Sequence, residues 1–158
     1  MIESHSRQVL NTALRVLGDR QKAMDVHQDV FLAIWRRWHK FNGQTKWDGY
    51  LYRATVRRAI DVARKARNER LAAQEFESPA TGEMPDAALR LAEMQKKLAR
   101  CLAKLPRRQA EVFVLSRIEG LKADEVARIV GCGRETVRVH LHRATKKLAQ
   151  QLGDYLAR

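Results

Sequence analysis

The chain has 158 residues, with 31 Lys plus Arg against 18 Asp plus Glu and a formal net charge of +13. That excess is larger than solubility requires and makes a polyanion the expected partner. No apolar run approaches the roughly 20 residues that span a bilayer, and the amino terminus lacks signal-peptide architecture, so a cytoplasmic protein with no membrane insertion is expected.

Apolar residues recur at helical spacing along almost the whole chain while period-two alternation is absent, which predicts an all-α fold. The first helices are expected from about residue 4 to Leu17, from Asp19 to Lys40 and from Trp47 to Arg70, with Gly18-Asp19 and Asn42-Gly43 between them. Asp19 has the side chain of an N-cap. On the second helix, Ala23, Val26, Val30, Ile34 and Trp38 gather on an apolar arc with Phe31 at its edge, leaving Asp25, Gln28, Asp29, Leu32 and Arg36 on the outer face. Leu32 among those polar neighbours is either a lone exposed leucine or the anchor of a protein-binding patch, and spacing does not choose.

The third helix opens with Trp47, Tyr50 and Tyr52, and Arg53, Arg57, Arg64 and Arg67 fall within about 80° of one another on it. Aromatic rings beside a cationic track can hold single strands: bases stack on the rings while phosphates meet arginine. The competing reading places at least one of the three aromatics in the core.

Composition then changes. Residues 75–86, EFESPATGEMPD, contain Pro79, Pro85, Gly82 and four acidic groups but no Lys or Arg, and read as an acidic linker. The expected organisation is two small helical domains, 1–74 and 87–158, joined by that flexible segment. Each flank is basic, with 15 Lys plus Arg against 7 Asp plus Glu before the linker and 16 against 7 after it. Like charge on both sides suits two separate nucleic-acid contacts.

Beyond the linker, Leu91, Met94, Leu98, Leu102 and Leu105 mark one face of a helix that Pro106 ends; Ala110, Phe113, Val114 and Ile118 mark the next, closed by Gly120. A helix over Ala123–Val130, a Gly131-Cys132-Gly133 turn and a second helix from Arg134 have helix-turn-helix spacing. In the second helix, Val137, Leu141, Ala144 and Leu148 form the core arc. Arg134, Glu135, Thr136, Arg138, Val139 and His142 are candidates for major-groove reading, with Arg143 and Lys146 beside Lys147 suited to phosphates. A helical hairpin with a solvated basic face is the bland alternative.

Metal and catalytic chemistry find no support. His140 and His142 lie two apart on a helix and diverge by about 200°, so they cannot share an ion. Cys101 and Cys132 are in no paired ligand spacing and read as small buried apolar groups in a reducing compartment. With no Gly-rich phosphate loop, ligand set or nucleophile-base pair, neither an enzyme nor a cofactor is expected.

These segments together resemble the extracytoplasmic-function (ECF) sigma factors of the sigma-70 family. DVHQDVFLAIWRRW is similar to that family's D-x-x-Q-x-x-F-x-x-x-W helix through Asp25, Gln28, Phe31 and Trp35; WDGYLYRATVRRAIDVARKARNER resembles its next helix through Leu51, Tyr52, Arg53, Asp61 and Arg64. LPRRQAEVFVLSRIEGLKADEVARIVGCGRETVRVHLHRATKKL is similar to the carboxy-terminal domain almost end to end. The resemblance implies that Asp25, Gln28, Asp29, Leu32 and Arg36 dock on core RNA polymerase. It further implies that Trp47, Tyr50, Arg53, Arg57, Asp61, Arg64 and Arg67 capture the melted minus-ten strand, and that the last helix reads the minus-thirty-five duplex. The partners it implies are core polymerase and promoter DNA, with an anti-sigma protein as a further candidate and a monomer when free.

The chain departs from the family pattern in places. The family's first helix is shortened here, Tyr50 stands where Trp is usual, and Arg57 where Asn is usual. Lys122 and Ala123 replace a Ser/Thr-like cap, leaving Asp124 to serve that helix through its charge. The alternative function is a stand-alone helix-turn-helix regulator. It accounts for residues 107–150 but not for a second aromatic-and-basic helix, and it predicts a symmetric dimer on a palindromic site.

Overall fold

A computed structural model describes residues 2–74 and 87–156; the expected acidic linker lies outside the described residues. Helix α1 (Ile2–Leu17) buries Val9, Ala13, Val16 and Leu17. Gly18, at φ +63°, turns the chain, and the carboxylate of Asp19 accepts the Lys22 backbone N–H at 3.0 Å, capping α2 (Arg20–Arg36) as its position suggested. Ala23, Val26, Val30 and Ile34 form the buried stripe of α2. Helix α3 (Trp47–Ala72) completes a three-helix unit through Leu51, Val56, Ala59, Ile60 and Ala63.

One expected core residue is not core. Trp38 is 59% exposed, because α2 ends at Arg36 and the chain tightens into a 3-10 turn at Trp38–Lys40. That break rotates the indole away from the Ile34 stripe.

Helix α4 (Ala87–Lys104) carries Leu98, Leu102 and, just beyond it, Leu105 inward. Leu91 and Met94, expected on the same buried face, are exposed, because the packing partners of α4 cover only its later turns. Pro106 separates α4 from α5 (Arg107–Phe113), which continues into a π-helical turn, Val114–Ile118. There the Glu119 N–H reaches back five residues to the Val114 carbonyl at 2.9 Å, and Gly120 at φ +71° ends the run. Helix α6 (Ala123–Val130) stops at Gly131, which at φ +79° lies in the left-handed region, and α7 (Arg134–Leu156) follows. Among the described residues there is no strand, and no helix is long and apolar enough to cross a membrane.

The two groups of helices touch. Helix α4 lies against α1 and α3, and α5 and α6 also reach α3, so the buried residues from Val9 to Leu148 form one connected cluster. The approach is close at Gly18, where a Cβ would sit 2.7 Å from Gln95 Cβ and 2.8 Å from the Lys96 backbone nitrogen. Only glycine fits there.

Candidate nucleic-acid interface

The α6–α7 pair has the geometry of a duplex reader. Val126, Ala127 and Val130 on α6 pack with Val137, Ala144 and Leu148 on α7, which fixes the outward arc of α7. Every candidate on that arc, Arg134, Glu135, Thr136, Arg138, Val139, His142, Arg143 and Lys146, is exposed. Arg138 donates to Glu135 at 2.7 Å, and Arg134 lies 3.5 Å from Asp124. These surface pairs are weak and hold the guanidinium groups near the helix start. Helix α6 has no side-chain cap at Lys122, and Asp124 and Glu125 place negative charge in its first turn.

The start of α3 carries an aromatic assembly larger than the sequence suggested. Trp47 stacks on Trp38 with ring centroids 6.1 Å apart and planes at 17°, while Phe41 lies 4.9 Å from Trp47 and 5.2 Å from Tyr50. Trp38 and Phe41 were missed as members of this surface. Their position outside α3 gave no periodic signal; only the turn after α2 brings them to Trp47. Trp47 and Tyr50 are half-buried, so each keeps an accessible portion, and Arg53 beside them is exposed. Tyr52 is also half-buried, and burial, aided by the nearby Glu119 carboxylate, pushes its phenol above the ordinary value.

Trp47, Tyr50 and Arg53 form one wall of an open cleft of about 820 Å³; Leu121, Arg128 and Ile129 form the other. Farther along α3 the candidate residues meet the second group of helices. Arg57 Nε donates to Glu111 Oε1 at 3.1 Å, Arg107 Nη2 donates to Asp61 Oδ1 at 2.6 Å, and Arg64 Nη1 donates to the Leu105 carbonyl at 3.4 Å. Arg67 is half-buried. The cationic track of α3 is therefore divided into an accessible start and a partly engaged middle.

On the outer side of α2, Asp25, Gln28, Leu32 and Arg36 are exposed, and Asp29 is half-buried and paired with Arg58 at 2.8 Å. Leu32 is 41% exposed, and Trp35, one turn from it, is 77% exposed. Two large apolar groups one turn apart form a small patch, whereas the sequence reading had marked Leu32 alone. Trp35 could have been found from the same helical projection, since it lies 100° from Ile34 and beside Arg36.

The fold and its surfaces define an all-helical protein with an exposed basic arc on its last helix and a separate aromatic-and-cationic helix. Models described as Sigma-70 region 2 and as Sigma-70, region 4 match residues 1–69 and 95–148. The chain belongs to the sigma-70 family, in its ECF branch. It is 29% identical to ECF RNA polymerase sigma factor SigE of Mycolicibacterium smegmatis over 100% of this chain and 61% of that protein. It is also 24% identical to ECF RNA polymerase sigma factor SigW of Bacillus subtilis over 98% of this chain and 88% of that protein. In fold it is similar to the sigma factor RpoE of Bartonella quintana, solved in complex with the anti-sigma factor NepR, with a TM-score of 0.60 at 21% identity over 96% of this chain and 94% of that one. CnrH, solved in complex with the cytosolic domain of CnrY, gives a TM-score of 0.61 at 24% identity over 97% of this chain and 85% of that one.

Proposed function

We propose that this chain, acting in the cytoplasm, binds core RNA polymerase through the outer face of α2, captures the opened minus-ten strand at α3 and reads the minus-thirty-five duplex with α7. The observation that carries this reading is the presence, on one chain, of three separate surfaces of different chemistry. The Leu32–Trp35 patch with its polar rim of Asp25, Gln28, Asp29 and Arg36 suits a protein groove. The Trp38–Trp47 stack with Tyr50 and Arg53 suits unstacked bases. The exposed arc from Arg134 to Lys146 suits base edges and phosphates of a duplex. Residues 1–74 and 87–158 form the two domains in this reading. No covalent step is required: transiently unstacked bases are held, and stacking contacts offset a cost of about a few kcal/mol.

Such a factor needs little DNA affinity of its own. Polymerase fixes its two DNA contacts at a set separation, so two weak contacts act together. An anti-sigma protein is a further partner in this reading, because RpoE is solved in complex with one, and the free chain is a monomer. The test is retention of core polymerase by the tagged full chain, followed by run-off transcription from genomic DNA. Defined start sites that appear only when the chain is added support the reading. Tight promoter binding without polymerase, with no retention of polymerase, would leave the stand-alone regulator.

A further inference from the structure

A cleft of about 220 Å³ opens where the ends of α1 and α3, the start of α2 and the middle of α4 meet. Its apolar lining is Leu17, Ala63 and Ala99, all buried, with half-buried Ala66. Around that lining stand Lys22 of α2, Arg70 of α3, and Lys96 and Arg100 of α4. Lys22, Arg70 and Arg100 are half-buried, yet no carboxylate of the described residues forms an ion pair with any of the four. Asp19 also lines the cleft, and it already gives one carboxylate oxygen to the Lys22 backbone N–H at 3.0 Å. At three other contacts between the two groups of helices an arginine meets a carboxylate: Arg15 with Glu119, Arg57 with Glu111 and Arg107 with Asp61. Here the cations are left over.

We propose that this cleft binds a short phosphate chain, a di- or triphosphate, which supplies the anion that Lys22, Arg70, Lys96 and Arg100 lack. Half-buried cations without a counterion give up part of their hydration for no partner, and an anion seated among them restores the balance. The two guanidinium groups offer forked N–H edges that match pairs of phosphate oxygens, while the two ammonium groups act as point charges. A phosphate chain places several negative charges in a small volume, whereas a single phosphate leaves some of the cations unmet. The cleft is smaller than the roughly 300 Å³ at which pockets for drug-sized ligands begin, and none of its lining residues is aromatic. Recognition therefore falls on the phosphates rather than on any base attached to them. A nucleic-acid backbone calls for an open track, and these charges surround a hollow instead. None of the four cations belongs to the surfaces proposed for polymerase or DNA. Because they come from α2, α3 and α4, occupancy stabilises the packed chain by mass action.

The full chain is titrated calorimetrically with inorganic triphosphate at one fixed ionic strength, and thermal midpoints are read with and without it. Binding of one triphosphate per chain and a raised midpoint are expected, with monophosphate weaker by about tenfold or more. Lys96→Gln combined with Arg100→Gln removes two of the cations, and Ala66→Leu fills the cleft without changing any charge. Each weakens binding by about tenfold or more. Arg7→Gln combined with Arg117→Gln removes the same charge from exposed positions outside the cleft and leaves affinity within about twofold. Circular dichroism confirms the helicity of every variant. ATP and GTP distinguish the source of the phosphates: affinity weaker than for triphosphate assigns a free inorganic chain, and equal affinity for all three assigns the phosphate tail that nucleotides share.

Absence of saturable binding would overturn the proposal. So would a loss in the Arg7/Arg117 pair equal to that in the Lys96/Arg100 pair, because general attraction to a cationic protein would then suffice. Undiminished binding by Ala66→Leu would place the ligand outside the cleft, and markedly tighter binding of one nucleotide would make the base, not the phosphates, the recognised group. Displacement of triphosphate by a short DNA duplex would give these cations to the DNA backbone instead.

Discussion

Arg15 on α1 and Glu119 after the π-helical turn, 104 positions apart in sequence, meet through two N–H donations of 2.8 Å each. The Glu119 side chain is 2% exposed while that of Arg15 is partly open to solvent. The hydrogen bond to Glu119 is the largest influence on Arg15 and raises its already high pKa, overcoming the opposing effect of burial. The pair ties the first helix to the carboxy-terminal group.

Arg15→Met leaves the Glu119 carboxylate with the Thr12 hydroxyl as its remaining partner on α1. A buried charge deprived of its main partner is costly, though solvent reaching Arg15 lowers the loss to about 1–3 kcal/mol. Urea unfolding followed by circular dichroism measures it. An unchanged midpoint would show that the pair contributes nothing to stability.

Leu32→Glu and Trp35→Ala both alter the α2 patch without entering the core, since both side chains point outward. Each is expected to leave helicity and the thermal transition nearly unchanged while reducing retention of core polymerase, with Leu32→Glu abolishing it. The buried Ile34→Ala is the contrast: it should lower stability by about 2–5 kcal/mol as a core truncation. Normal retention by Leu32→Glu would move the docking surface elsewhere.

Arg138→Ala removes an exposed guanidinium from the first turns of α7 and its 2.7 Å contact with Glu135. Promoter-specific binding by the polymerase complex is expected to weaken by about 1–3 kcal/mol, with relaxed preference at one upstream position. Lys146→Ala, a phosphate contact in this reading, should weaken all sequences alike and flatten the salt dependence. Competition assays with single-base variants of the upstream element distinguish the two patterns.

Tyr50→Ala and Trp38→Ala remove members of the aromatic assembly at the start of α3. Permanganate reactivity should report less promoter opening, with closed-complex formation at fixed salt affected less. The loss per ring is about 1–3 kcal/mol if each stacks on a base. Equal loss at both stages would point to damaged packing instead.

His27 lies between Ser6, 2.7 Å from its Nε2, and Phe31, with ring centroids 4.8 Å apart. Burial lowers its pKa from the ordinary value, so the folded chain binds protons here less readily than the unfolded chain. The resulting contribution to stability is present above the unfolded pKa of about 6.5 and is lost as pH falls through the lowered folded value. Thermal midpoints across that interval should therefore fall with acidification, and His27→Gln should reduce the slope. An identical slope in the variant would assign it to other groups.

Helical periodicity determined that this chain is all helical and which face of α7 is outward. Those features depend on local backbone geometry and on the burial of residues three and four apart, which a single segment already encodes. Asp19 at its cap and Gly131 between α6 and α7 were legible for the same reason. The tertiary structure decided the rest. Nothing local distinguishes Trp38 from a continuing helical stripe, yet the break after Arg36 turns it onto Trp47. The matching spacing of Leu91, Met94, Leu98 and Leu102 could not show that the partners of α4 cover only its later turns. Arg57 read as one member of a cationic track, and only the packing of α5 against α3 made Glu111 its partner. Long-range pairing of charges depends on which surfaces come together, and that is a property of the assembled core rather than of any segment within it.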